Sequence, residues 1–334
     1  MADARLYEKA CAWAERRRLR IAGRNPWVVA VNVARNSADD RVGGLAAEMA
    51  FWAMLSFFPL IVTMAAVLGY AERFIGPEPI ERGRHAVVSA LSVVFSGELL
   101  REVVDPFVAG LLTAERGGVA LTSLAVALFL ASRVFTATIR ALDLAYRVPE
   151  RRGLLVQRLL ALALAVGFII VSTTTLLLMV VGPMLGAGRE LADRLGLGRA
   201  FELTWTLARW PFLVAAMIAF LAVVYRYGPA AANRLRDCLP GAVVGVVAWL
   251  LATVGLRVYL AAGGGGTPEI ATEDQAVAVV GRVVGALVAA MLWVFLAGVA
   301  ILAGGELNAE LARQRPVLRS VRDPDASGTM PADG

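Results

Sequence analysis

The sequence predicts an all-α, polytopic membrane protein with about six transmembrane helices. Three observations predict it. Apolar residues make up 58% of the 334 residues and charged residues only 18%, below the roughly 25% charged content of soluble domains. The mean hydropathy is +0.67. Six apolar segments, at about 44–70, 118–140, 156–186, 203–225, 239–262 and 283–304, each supply the roughly 20 residues that cross a ~30 Å hydrocarbon core. Helices are expected because a backbone in lipid must satisfy its own hydrogen bonds. The alternating strand pattern of an outer-membrane barrel does not occur in the sequence.

Residues 1–43 form a basic, cytoplasmic segment with Arg16, Arg17, Arg18, Arg20 and Arg24 among its charges. The segment is not expected to be a cleaved signal, because the first apolar run starts late and is too long. Within it, Pro26 to Val33 reads as an interfacial helix with Trp27 at headgroup depth.

The first span carries a polar stripe. At about 100° per residue, Glu48, Trp52, Ser56, Pro59, Thr63 and Tyr70 fall on one side. Pro59 removes one backbone hydrogen bond, frees the carbonyl of Leu55 and predicts a kink there. Ser56 is a nearby candidate to satisfy that carbonyl.

The segment from about 80 to 113 has apolar residues at helical spacing, including Val87, Val88, Leu91 and Phe95. Two readings stand for it: amphipathic helices on the outer surface, or a cap over the helix ends. The second span carries its own polar side, with Ser132, Arg133, Thr136, Arg140 and Asp143, opposite Leu124, Leu128, Phe135 and Leu142. Charges inside a span are costly and favour a bundle interior or a cavity. Glu48 and Arg133 overlap in depth and could pair. The alternative is that Arg133 snorkels inward and Glu48 sits among headgroups. The third span is long enough to tilt, or to turn at Gly182-Pro183.

Arg209 and Arg257 lie in the outer halves of the fourth and fifth spans. Each either snorkels outward or helps to hold an anionic headgroup of the outer leaflet. Pro240 reads as a first-turn residue of the fifth span. Gly241 and Gly245, like Gly281 and Gly285, are small residues spaced for close helix packing. The six-helix domain is taken as residues 44–313, and residues 314–334 as a disordered cytoplasmic tail rich in proline and polar residues.

The arginines set the orientation. They crowd the N-terminal segment, the 2–3 and 4–5 loops and the tail, whereas the alternate loops are richer in acid, with Glu98, Glu102 and Asp105 in the first and Glu269 and Glu273 in the last. The positive-inside rule then places both termini in the cytoplasm. By the same rule, the net charge of +6 is topological and does not argue for nucleic acid as a partner. Cys11 and Cys238 both fall on the cytoplasmic side, so no disulfide is expected.

Chemistry-bearing motifs are scarce. The one histidine, His85, cannot form a zinc cluster or a triad, and there is no phosphate-binding glycine loop. No catalytic residue, metal site or cofactor is expected.

Four ordered motifs carry a family resemblance. They are LAAEMAFWAMLSFFPLI in the first span, ALDLAYRVPERR from Ala141 to Arg152, DCLPGAVVGVVAW at the fifth span, and the Gly-x-Glu-x-Asn ending at Gly304, Glu306 and Asn308. Together they resemble the YihY/BrkB family of bacterial inner-membrane proteins. Asp143 stands where that family commonly has Asn. The resemblance implies about six helices and no settled activity, under labels such as ribonuclease BN-like and virulence factor.

The polar-interior candidates are therefore Glu48, Ser56, Pro59, Thr63, Arg133, Thr136, Asp143, Glu306 and Asn308, with Arg209 and Arg257 as outer headgroup candidates. Three functions are carried forward. The leading one is transport or channel-like handling of an amphipathic or anionic substrate, such as an envelope lipid or a small anion. The second is a non-transporting envelope or assembly protein, and the third a membrane-embedded ribonuclease or hydrolase.

Overall fold

The computed structural model describes residues 7–9, 12–14, 16, 25–75, 117–148, 152–176, 198–231, 233–260 and 275–322. Seven helices carry most of them, residues 7–9 and 12–14 are helical as well, and no strand occurs among the described residues. They are α1 (Pro26–Asp39), α2 (Val42–Ile75), α3 (Gly117–Ala145), α4 (Leu154–Leu176), α5 (Gly198–Tyr227), α6 (Leu235–Tyr259) and α7 (Gln275–Arg322). Helices α2 to α7 contain six stretches long and apolar enough to cross a membrane. The segment 80–113, His85, Gly182-Pro183 and the end of the third span lie outside the described residues.

The six long helices pack as a ring in chain order: α2 on α3, α3 on α4, α4 on α5, α5 on α6, α6 on α7, and α7 back on α2. Short connections explain part of this, because antiparallel neighbours joined by tight turns pack on each other. Helix α3 serves two clusters of buried side chains. Its Ile139 and Leu142 join Leu164 of α4, Leu221 and Tyr225 of α5, and Val246 of α6. Its Ala137 and Ala141 join Ala46 and Met49 of α2 and Leu302 of α7. Phe135, Phe168 and Phe220 add an aromatic triangle with centroids 5.9–6.2 Å apart. Outward, Phe58, Leu121, Ile170, Leu251, Val258 and Val288 are more than half exposed. In water such a surface would be a large liability, whereas in lipid it is the expected outer face.

Helix α1 starts where the sequence placed its interfacial helix but runs on to Asp39. Asn25 caps it by accepting from the Trp27 N–H at 3.0 Å, and Pro26 takes the first position, where its missing N–H costs nothing. Asn32 Nδ2 donates to Glu310 Oε1 at 2.7 Å, which ties α1 to α7. Arg41 adopts a positive φ of 54° at the corner into α2.

Three sequence expectations need correction here. Helix α7 continues to Arg322, into the stretch 314–334 that was expected to be disordered, and residues 323–334 lie outside the described residues. Arg313 and Gln314 both donate to Glu310, and Arg313 also caps α3 at the Ala145 carbonyl, 2.9 Å away, so the helix stays anchored beyond the apolar stretch. Pro240 is the sixth residue of α6 rather than a first-turn residue, because the helix starts at Leu235. Ser56 donates to the Ala53 carbonyl at 2.8 Å and not to that of Leu55, since a serine in a helix reaches back toward the preceding turn.

Candidate functional site

A cavity of about 420 Å³ opens among α2, α3 and α4. Helical spacing assembles its wall. Glu48 and Trp52 are one turn apart on α2. Arg133, Thr136 and Arg140 follow one face of α3. Leu154, Gln157 and Arg158 come from the first turns of α4. Three guanidiniums thus face one carboxylate. The start of a 23-residue helix adds the positive end of its dipole. This arrangement suits an anion, with Trp52 and Leu154 as apolar wall.

The pairing of Glu48 with Arg133 that their overlapping depths allowed does not form: Glu48 forms its ion pair with Arg140. Helix register supplies the reason. At ~1.5 Å per residue, Glu48 lies about 9 Å from the start of α2, and Arg140 and Arg133 lie about 7.5 and 18 Å from the end of α3. The sequence reading ended the second span at Arg140, which put Arg133 too near the surface. Arg133 instead stacks its guanidinium over the Trp52 ring, 4.9 Å from the centroid, with Phe129 at 5.8 Å. Thr136 Oγ1 donates back to the Ser132 carbonyl at 2.8 Å.

Other candidates lie elsewhere. Thr63 is buried and donates to the Pro59 carbonyl at 2.8 Å, so these two residues satisfy each other within α2. Asp143 is buried and accepts from the Ala230 N–H at 2.7 Å. Arg152 donates to the carbonyls of Tyr227, Gly228 and Pro229 at 2.9–3.0 Å. Two residues of the Ala141–Arg152 motif thus grip the turn that follows α5. Asn308 Oδ1 accepts from Gly241 N–H at 2.8 Å and its Nδ2 donates to the Cys238 carbonyl at 2.9 Å. That amide clamps α6 around Pro240, so the Pro-Gly motif and the Gly-x-Glu-x-Asn motif meet. Glu306 is buried one turn before Glu310, away from the cavity wall. Arg257 is exposed in the last turn of α6, and the Arg209 side chain lies outside the described residues.

Sequence reasoning missed four contributors. Arg158 and Gln157 were read as topological charge and span start. Their spacing from Leu154 at the mouth of a span was the available signal. Glu310 was passed over, although it accepts from Asn32, Arg313 and Gln314. Tyr225, fully buried, donates its hydroxyl to the Ile301 carbonyl and so joins α5 to α7. A lone tyrosine in an apolar span gives no sign of such a partner.

A ring of lipid-facing helices, locked at one end by buried polar clamps and holding a basic cavity there, defines a polytopic integral membrane protein. The chain belongs to the family described as Virulence factor BrkB, which it matches over residues 33–329. It is similar to the ribonuclease-like protein YfkH of Bacillus subtilis (strain 168), with 26% identity over 269 residues, covering 80% of this chain and 90% of that protein. No solved structure matches the chain.

Proposed function

We propose that this inner-membrane protein, with both termini cytoplasmic, handles an anionic amphipathic substrate, of the class of an envelope lipid, by transport or channel-like passage. The observation that carries the reading is the cavity: Arg133, Arg140 and Arg158 against the single carboxylate Glu48. Its ~420 Å³ falls within the range of about 300–1,000 Å³ of small-molecule sites. Guanidiniums bind phosphate and carboxylate through paired N–H groups. Leu154, Leu155 and Leu159, all strongly exposed, supply an apolar approach beside it. In this reading Arg133 and Arg158 meet the anionic group, while Glu48 holds Arg140 until the substrate competes for it.

Reconstitution tests the proposal. Proteoliposomes containing the protein should move a labelled anionic lipid or a small anion, and separate arms distinguish the two. Arg133→Ala and Glu48→Ala should reduce that flux at unchanged levels of folded protein. Normal flux in both variants removes the cavity from the function.

The close α6–α7 seam favours a second reading, a rigid envelope or assembly protein that copurifies with a stable partner. The name of YfkH raises ribonuclease activity as a third test, on RNA with divalent metal. No group of three His, Cys, Asp or Glu side chains that could hold a metal occurs among the described residues.

A further inference from the structure

At the corner between α1 and α2, the Asp40 carboxyl lies within hydrogen-bonding reach of the Glu306 carboxyl of α7. Glu306 is 1% exposed. Asp40 Oδ2 and Glu306 Oε2 are both buried, and no donor among the described residues reaches either. Two buried acceptors facing one another without a donor leave a costly arrangement. A proton carried by one carboxyl and accepted by the other satisfies both, in the manner of paired acids that cannot both ionise. We infer that Asp40 and Glu306 form a proton-binding site in which one shared proton fastens the α1–α2 corner to α7.

The neighbouring charges choose the proton over a metal cation. Arg147, beyond α3, and Arg313, on α7, both act on Glu306 and would repel a cation held beside it. Glu310, one turn further along α7, is occupied by Asn32, Arg313 and Gln314. Two carboxyls with no third His, Cys, Asp or Glu grouped with them among the described residues also fall short of the six to eight oxygens that a calcium ion takes. The corner itself is fixed: Asp40 N–H donates to the Asn36 carbonyl at 2.8 Å and Arg41 N–H to that of Ala38 at 3.1 Å. The carboxyl of Asp40 is thus presented to α7 by a closed turn. This site stands apart from the cavity and does not depend on the transport reading.

The test uses the full-length protein in lipid nanodiscs. Infrared difference spectra across a pH step should show a protonated-carboxyl C=O band in the wild type that is lost in Glu306→Gln and in Asp40→Asn. Persistence of the band in both folded variants overturns the proposal. A second measurement starts from the wild type alone. The folded wild type holds a proton that the unfolded chain releases, so its melting temperature should fall as pH rises through the titration of Glu306. Asp40→Asn supplies a permanent N–H donor to Glu306, and its melting temperature should lose that fall. A wild-type melting temperature that does not fall with pH overturns the proposal. So does one that rises on exchanging potassium for sodium at fixed pH, which marks a cation site instead.

Discussion

The substitution Gly241→Ala probes the α6–α7 seam at the end of the bundle where α6 begins. A Cβ built at Gly241 stands 2.5 Å from Asn308 Cγ and closer still to the Gly304 carbonyl oxygen. Real Cβ atoms essentially never approach within 3.0 Å, so α6 and α7 must separate by about 1.5 Å to reach ordinary van der Waals contact near 3.5–4 Å. That movement stretches the two Asn308 hydrogen bonds, now 2.8 and 2.9 Å long, beyond useful range. Overpacking costs about 1–3 kcal/mol and each lost buried bond about 1 kcal/mol. Alanine returns about 0.5–1 kcal/mol of helix propensity over glycine. The net destabilisation is about 2–4 kcal/mol, or a melting temperature lower by roughly 5–10 °C. Thermal unfolding in detergent, followed by circular dichroism, measures it. Gly255→Ala is the internal control, because a Cβ there meets nothing within 4 Å. It should be neutral or stabilising by up to about 1 kcal/mol. Equal melting temperatures for Gly241→Ala and wild type, or equal losses at both glycines, would refute the argument.

One further outcome concerns the same end of the molecule, and another the orientation of the chain. Asp143→Asn keeps an oxygen for the Ala230 N–H and should unfold within about 1 kcal/mol of wild type, whereas Asp143→Ala orphans that donor and should cost about 1–3 kcal/mol in the same assay. Reporter fusions after Glu98 and Gly266 should read as external, and a cytoplasmic signal from either would invert the orientation argued from the arginines.

The six helices were legible in the sequence because burial in lipid demands long apolar runs, and each observed helix covers or overlaps its expected span. Helix ends were less legible. The sequence cut the second span at Arg140 because polar residues begin there, yet Asp143 finds a backbone donor across the bundle and the helix continues to Ala145. That shift of about one and a half turns exchanged Arg133 for Arg140 as the partner of Glu48. Asn308 and Gly241 are 67 residues apart and read separately as a motif ending and a packing glycine. Their union depends on helix register, which hydropathy does not encode. The cavity was half visible: Glu48, Trp52, Arg133, Thr136 and Arg140 lay on the two recognised stripes, while Gln157 and Arg158 blended with the topological charge of a loop.

An anionic headgroup held in the α2–α3–α4 cavity would register in lipid binding measured by native mass spectrometry. The wild type should retain anionic phospholipid in preference to zwitterionic phospholipid, and an Arg133→Ala/Arg158→Ala double variant should lose that preference by about tenfold or more, the effect of about 1.4 kcal/mol. Unchanged preference in a folded double variant would contradict the account.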